Sequence, residues 1–379
     1  MAARPAPLAT RAAANGTCQS RVEPFGYKCE EHTVRKTDKS NVTTADGYIL
    51  SLQRIPGGRG SGQSAAAGNK IPVLLQHGLL MDGVTWLMNS PNESLGYILA
   101  DGGYDVWIAN TRGTTYWDWS WDELASNDLS AVVPYVYAQS GQQRLHYVGH
   151  SLGTLIAFAA LSQRQQLGML RSAGLLSPIA YLNKALYWLG LDEFDPTGEP
   201  VHKLVTDICS QPGINCYNMM SVFTVCFLWI YHRALLAHAG DNCCLDNSSV
   251  QVFLAHEPQA SATKNMVHLA QMIRRGTLAK YDYGNAADNT KHYGQATPPA
   301  YDVSAIPDDF PLFLSYGGRD TLSDPQDVSH LLQVLKSHDG DKLTVQYLED
   351  YAHADFVFAG NARERVYAPL MAFFKLQDK

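Results

Sequence analysis

No stretch of the chain reaches the roughly 18 consecutive apolar residues of a membrane-crossing helix. The nearest approach, Met219 to Tyr231, stops at His232 and Arg233. Basic runs are missing too, and the net charge of −7 comes from interspersed acids, so no electrostatic footprint for nucleic acid is present. Cysteines at Cys-x-x-Cys spacing with matching histidines are absent, which excludes a zinc site of the usual kind. There is no internal repeat, and the one low-complexity stretch, Gly57 to Gly68, reads as a flexible surface loop. Met1 to Gly16 is rich in Ala, Pro and Arg and lacks the roughly 7–15-residue apolar run of a signal peptide. Charge is scarce at 17% against 46% hydrophobic residues, so the 379 residues have ample material for a core in one large domain or two ordinary ones. A soluble globular protein is expected.

Seven cysteines are present, Cys18, Cys29, Cys209, Cys216, Cys226, Cys243 and Cys244, in two clusters. Disulfides are the expected use. Four sequons, at Asn15, Asn41, Asn92 and Asn247, point to the same oxidising and glycosylating route, hence to an extracellular, vacuolar or lysosomal destination.

Short β-rich runs recur between helical or loop-like stretches: Tyr48–Ile55, Pro72–Leu75, Tyr104–Ala109, Leu145–Val148, Gly174–Leu176, Pro311–Ser315 and Leu343–Tyr347. Several are apolar throughout, as strands covered on both faces of a parallel sheet should be. The pattern predicts an α/β fold. It is interrupted between Pro178 and Pro311 by helix-like and irregular sequence holding five of the cysteines, so an inserted, mainly helical cap subdomain is expected. The expected division is an N-terminal segment over 1–46, core over 47–180, cap over 181–300 and core again over 301–379. A cap at this interruption would lie over the carboxyl ends of the sheet, where open α/β sheets bind ligands.

Gly149-His150-Ser151-Leu152-Gly153 follows the apolar run Leu145–Val148 and precedes Thr154–Leu161, which has good helix character. Strand, tight turn and helix are the context of the nucleophile elbow of an α/β-hydrolase, with a mostly parallel central sheet. A serine hydroxyl needs a base to take its proton and an acid to orient that base, in the chain order Ser, acid, His. His353, just beyond the last predicted strand, is the expected base. Two candidates for the acid follow Pro311–Ser315. Asp320 comes first after Gly317 and Gly318 and is the expected one, whereas Asp324 before Pro325 reads as a helix N-cap. The oxyanion donors are expected to be the amides of Leu152, next to the nucleophile, and Leu79 in His77-Gly78-Leu79-Leu80.

These residues resemble the acid lipase family, which includes gastric lipase, lysosomal acid lipase and plant homologues. The resemblance rests on His77-Gly-Leu-Leu80 with Trp86, Gly103-Tyr-Asp-Val-Trp107 with Asn110 and Arg112-Gly113, and Gly149–Thr154. It continues with Gly317-Gly-x-Asp320 followed by Asp324-Pro325, and His353-x-Asp355-Phe356, and runs from about Glu23 to Phe374. It implies hydrolysis of triacylglycerols or related acyl or sterol esters, with Ser151, Asp320 and His353 as the triad, contact with a lipid–water interface through the cap, and no metal or organic cofactor. Leu152 departs from the glutamine of the animal members, a change a backbone donor tolerates. Val225–Ala239 departs further: plant members run directly across this junction, and the segment carries the odd cysteine, Cys226. It reads as retained intron sequence or, alternatively, as a lipid-facing cap element. Two other functions share the same motifs: a carboxylesterase or acyltransferase acting on smaller soluble esters, and a ligand receptor on the same scaffold.

Overall fold

The computed structural model describes residues 16–32, 42–59, 70–112, 119–181, 242–244, 252, 256, 257, 259 and 261–378. Cys209, Cys216, Cys226, the segment Val225–Ala239, Gly113 and the sequons at Asn15, Asn41 and Asn247 lie outside them.

Ten strands are described: β1 Glu30–His32, β2 Val42–Thr43, β3 Ile49–Leu50, β4 Leu52–Ile55, β5 Pro72–Gln76, β6 Asp105–Ala109, β7 Leu145–His150, β8 Leu170–Leu176, β9 Leu312–Gly317 and β10 Leu343–Leu348. Eight form one sheet in the order β1-β4-β6-β5-β7-β8-β9-β10. From β6 to β10 every neighbour is parallel, while β4 runs antiparallel to both β6 and β1. The inner parallel strands β5 to β9 read as largely apolar runs because both of their faces are covered, whereas β10 at the sheet edge is mostly exposed or half-buried. Along β5, Leu74 points into one core and Val73 and Leu75 into the other; along β9, Leu312 and Leu314 are divided from Phe313 in the same way.

Helices Leu129–Gln139 and Leu152–Ser162 supply one layer, and Leu95–Asp101 and Ala368–Gln377 the other. Leu152–Ser162 is buried along its whole length. Val303 and Ile306, from the chain returning to the sheet, share its core. A helix apolar all round is therefore covered on both sides.

The expected strand Tyr48–Ile55 is two strands. β3 pairs with β2 in a separate ribbon and β4 joins the main sheet, the break falling at Ser51, whose carbonyl accepts from Asn110 N at 3.2 Å and Asn110 Nδ2 at 3.1 Å. β1, Glu-Glu-His, has no apolar period to betray it. Its side chains hold the sheet edge instead: Glu31 Oε2 accepts from Gln53 Nε2 at 2.8 Å, and Glu30 pairs with Arg54 at 3.1 Å. Arg54 in turn binds Asp105 through two N–H groups and covers the Trp107 ring at 4.8 Å.

The jump between β8 and β9, the sixth and seventh strands of the main sheet, contains the insertion. Its described part includes helices Thr263–Arg275 and Ala286–Tyr293. His268 of the first stacks on Trp121 of the core at 4.1 Å, and Asp122 of the core accepts from Tyr281 N, between the two helices, at 2.8 Å and from Tyr301 Oη, after the second, at 2.6 Å. Among the described residues the cysteine pairs are Cys18–Cys29 and Cys243–Cys244, so the latter two are joined to each other. Among the described residues no helix is long and apolar enough to cross a membrane.

Candidate active site

Ser151 sits between β7 and helix Leu152–Ser162 with φ 53° and ψ −117°, a conformation costing a non-glycine residue about 1–3 kcal/mol. The neighbours that enforce it are close. A Cβ on Gly149 would lie 2.7 Å from the Gly153 carbonyl carbon and oxygen, and one on Gly153 would lie 2.6 Å from the Gln76 carbonyl oxygen. Only glycine lets strand, turn and helix approach this tightly. Thr154 ties the turn down, donating to the Ser151 carbonyl at 2.6 Å and accepting from Ile179 N at 2.7 Å.

Asp320 and His353 come from the loops after β9 and β10, adjacent strands at the sheet's end. Two glycines bring those loops together: a Cβ on Gly317 would meet the Tyr351 carbonyl oxygen at 2.1 Å, and one on Gly318 the Glu349 carbonyl oxygen at 2.5 Å. His353 Nδ1 donates to both carboxylate oxygens of Asp320, at 3.0 and 2.9 Å. Asp320 Oδ1 also accepts from Leu322 N at 2.9 Å and Ser323 N at 2.8 Å. Burial opposes charge on this carboxyl, which is 1% exposed, yet the facing His353 and the N–H donors hold its pKa below the ordinary value. Asp324 instead caps helix Pro325–Val334, accepting from Gln326 N at 2.8 Å.

Leu152 opens its helix directly after Ser151, and Leu79 lies on the loop after β5. Gly78 lets that loop close on the elbow, since a Cβ there would be 3.1 Å from Ser151 Cβ. His77 braces it: Nδ1 donates to the Gly78 carbonyl at 2.8 Å and Nε2 accepts from Thr111 N at 3.1 Å. Burial lowers its pKa to about 4, so it is the neutral imidazole this pair of bonds requires. The far end of the loop meets the insertion, where Gln259 N donates to Leu80 O at 2.7 Å and Asp82 N to Glu257 Oε1 at 3.1 Å. Leu80 has φ 58°.

Three further residues escaped the sequence reasoning, or entered it only as motif letters. His150 packs on His353, Asp355 accepts from Ala352 N, Cys243 N and Cys244 N, and Arg112 is an internal ion-pair hub between Asp46 and Asp128. The His-x-Asp spacing was the available signal for Asp355. Cys243, Cys244 and Asp350 lie close enough for a metal, but the two sulfurs are bonded to one another and offer no thiolate.

The parallel sheet, the strained serine turn after β7 and the His–carboxylate pair beyond the last two strands define an α/β-hydrolase. Two family models agree with that class: one described as a partial alpha/beta-hydrolase lipase region matches residues 18–90, and one for the alpha/beta hydrolase fold matches residues 71–193. Triacylglycerol lipase 2 of Arabidopsis thaliana is 46% identical over 97% of this chain and 89% of its own length. Human gastric triacylglycerol lipase is 33% identical over 94% of this chain and 89% of its own. An esterase of Pyrococcus furiosus is similar in fold, with a TM-score of 0.52 at 16% identity, covering 94% of this chain and 93% of that one. The chain belongs to the acid lipase family of α/β-hydrolases, a family of carboxylic ester hydrolases.

Proposed function

We propose that the protein is a serine lipase that hydrolyses triacylglycerols or related acyl esters through an acyl-enzyme on Ser151. The observation that carries this is the two-oxygen grip of Asp320 on His353 Nδ1, because a proton fixed at Nδ1 leaves Nε2 free to act as base. His353 Nε2 takes the Ser151 proton as Oγ attacks the ester carbonyl. The amides of Leu79 and Leu152 receive the oxyanion, and the proton passes to the departing alcohol. Water, deprotonated by the same nitrogen, then releases the fatty acid. Asp320 stays ionised throughout and balances the imidazolium.

Residues 181–300 act in this reading as a cap between core segments 47–180 and 301–379, preceded by the segment 1–46. The cap meets the lipid–water interface and covers the acyl chain. Support comes from the contacts of Glu257 and Gln259 with the Leu80–Asp82 loop, which join the insertion to the oxyanion side of the site. Each buried CH₂ of an acyl chain is worth about 0.8 kcal/mol, so a modest apolar tunnel prefers long chains. The Cys18–Cys29 bond and the exposed Asn92 sequon support a secretory route.

The test is Ser151→Ala assayed on emulsified long-chain triacylglycerol and on a soluble short-chain ester, with circular dichroism as the folding control. Turnover of both substrates is expected to vanish in a folded variant. A folded variant retaining a tenth of wild-type activity rules out the nucleophile. Wild-type turnover of the soluble ester alone moves the substrate to small esters.

A further inference from the structure

His150 occupies the variable position of the elbow and has no part in the chemistry just described. It is 2% exposed, and its Nε2 lies 3.0 Å from the carbonyl oxygen of His353. A carbonyl can only accept, so that nitrogen carries the hydrogen. The two imidazole rings lie 4.9 Å apart at 46°. On its other side, Nδ1 faces the oxyanion loop, 3.3 Å from where a Cβ on Gly78 would stand, and has no hydrogen-bond partner among the described residues. One ring thus touches the nucleophile turn, the oxyanion loop and the base loop.

We propose that His150 is a positioning residue, whose Nε2–H fixes the backbone of His353 to the turn that carries Ser151. The inference rests on the reading of Ser151 and His353 given above. Asp320 holds the His353 ring with both carboxylate oxygens, but only at the single atom Nδ1, which leaves the backbone of the residue unrestrained by that grip. The His150 bond restrains the same residue at its carbonyl, so ring and backbone are held from opposite ends. Because His150 neighbours Ser151 in the chain, the restraint acts directly on the distance between base and nucleophile. Misplacement of reacting groups by about 1 Å can cost on the order of 100-fold in rate.

Charge matters as much as geometry. His353 becomes a cation whenever it holds the serine proton, and a second cation against its ring would oppose that step. Burial, with the nearby His353 adding to it, lowers the His150 pKa to about 3, so His150 is neutral wherever the base can work. The other charged or titratable groups around it are Asp320, which favours its protonation, and His77, which disfavours it.

The experiment uses the full chain and a soluble short-chain p-nitrophenyl ester. His150→Leu removes the donor at similar volume, and His150→Gln supplies an N–H at similar reach. The expected result is a fall in kcat of about 10- to 100-fold for His150→Leu, with KM within about twofold, and recovery by His150→Gln to within about threefold of wild type. A folded His150→Leu enzyme with kcat within about threefold of wild type overturns the proposal, as does a loss that glutamine does not restore or that falls on KM alone. If the leucine variant does not fold, ¹⁵N NMR of wild-type histidines decides. A neutral Nε2–H tautomer for His150 between about pH 5 and 8 upholds the restraint; an Nδ1–H tautomer or a titration in that window overturns it. Ser151→Ala, run alongside, separates the two readings. If it is inactive while His150→Leu is fully active, only the role of His150 falls; if it is active, the site assignment itself falls.

Discussion

Replacing Asp320 by asparagine changes one atom and should nearly abolish turnover. Asp320 Oδ1 accepts from Leu322 N, Ser323 N and His353 Nδ1, and Oδ2 accepts from His353 Nδ1. Asparagine has one acceptor oxygen. If that oxygen takes the Oδ1 position, both backbone N–H groups keep their acceptor and the new NH₂ faces His353 Nδ1. Two donors cannot share that contact, so the imidazole shifts its proton to Nε2 and Nδ1 becomes an acceptor. The ring survives in place but is protonated on the nitrogen that must act as base. The opposite flip would leave two buried N–H groups facing an NH₂, at about 1–3 kcal/mol each, and loses. The expected cost is about 10³–10⁴ in kcat, or about 4–5.5 kcal/mol of barrier, with little change in KM. The control is Asp324→Asn, where the helix cap is weakened by about 1 kcal/mol or less and kcat is retained. Steady-state kinetics on a soluble ester, with thermal melts of both variants, makes the comparison. An Asp320→Asn enzyme within tenfold of wild type, or an Asp324→Asn enzyme that is the crippled one, refutes the assignment.

Glu257 is 3% exposed, and burial, with Asp82 adding to it, pushes its pKa up to about 9. A carboxyl whose folded pKa is raised stabilises the fold fully below its unfolded value of 4.5, and that contribution is lost as pH rises towards 9. Melting temperature is therefore expected to fall between about pH 5 and 8, and Glu257→Gln to flatten the fall; equal slopes in variant and wild type would count against a buried neutral Glu257. Deleting Val225–Ala239 is expected to improve folding yield and to leave or raise lipase activity. Loss of binding to lipid emulsions with soluble-ester turnover intact would instead make the segment an interfacial element.

The inner parallel strands were legible because burial on both faces leaves little room for polar residues, so Pro72–Leu75 and, apart from His146 and Ser315, Leu145–Val148 and Pro311–Ser315 stand out as apolar runs. The elbow was legible because its glycines answer a backbone clash, as the distances around Gly149 and Gly153 show. What stayed hidden is held by side chains far apart in sequence. β1 is a polar edge strand secured through Gln53 and Arg54 rather than by an apolar face. The bond from His150 to the His353 carbonyl and the hold of Asp355 on Cys243 and Cys244 join positions that no local pattern connects. Asp320 and Asp324 lie in one loop and differ in the direction each carboxylate faces. Only the two glycines before Asp320 hinted at that.

β8 and β9 pair along Ala173–Leu176 and Leu312–Ser315, although the whole insertion separates them in the chain. The entropy of closing so long a crossover grows only with the logarithm of its length. Extending one of roughly 120 residues by about 15 adds only about 0.1 kcal/mol. In closure entropy, the crossover can therefore gain or lose length at almost no cost. β8 pairs with β7, which leads into the turn with Ser151, and β9 leads into the loop with Asp320, so the three strands meet through the same backbone bonds whatever lies between β8 and β9 in the chain. A lineage can rewrite the crossover while the paired strands beside it are inherited intact.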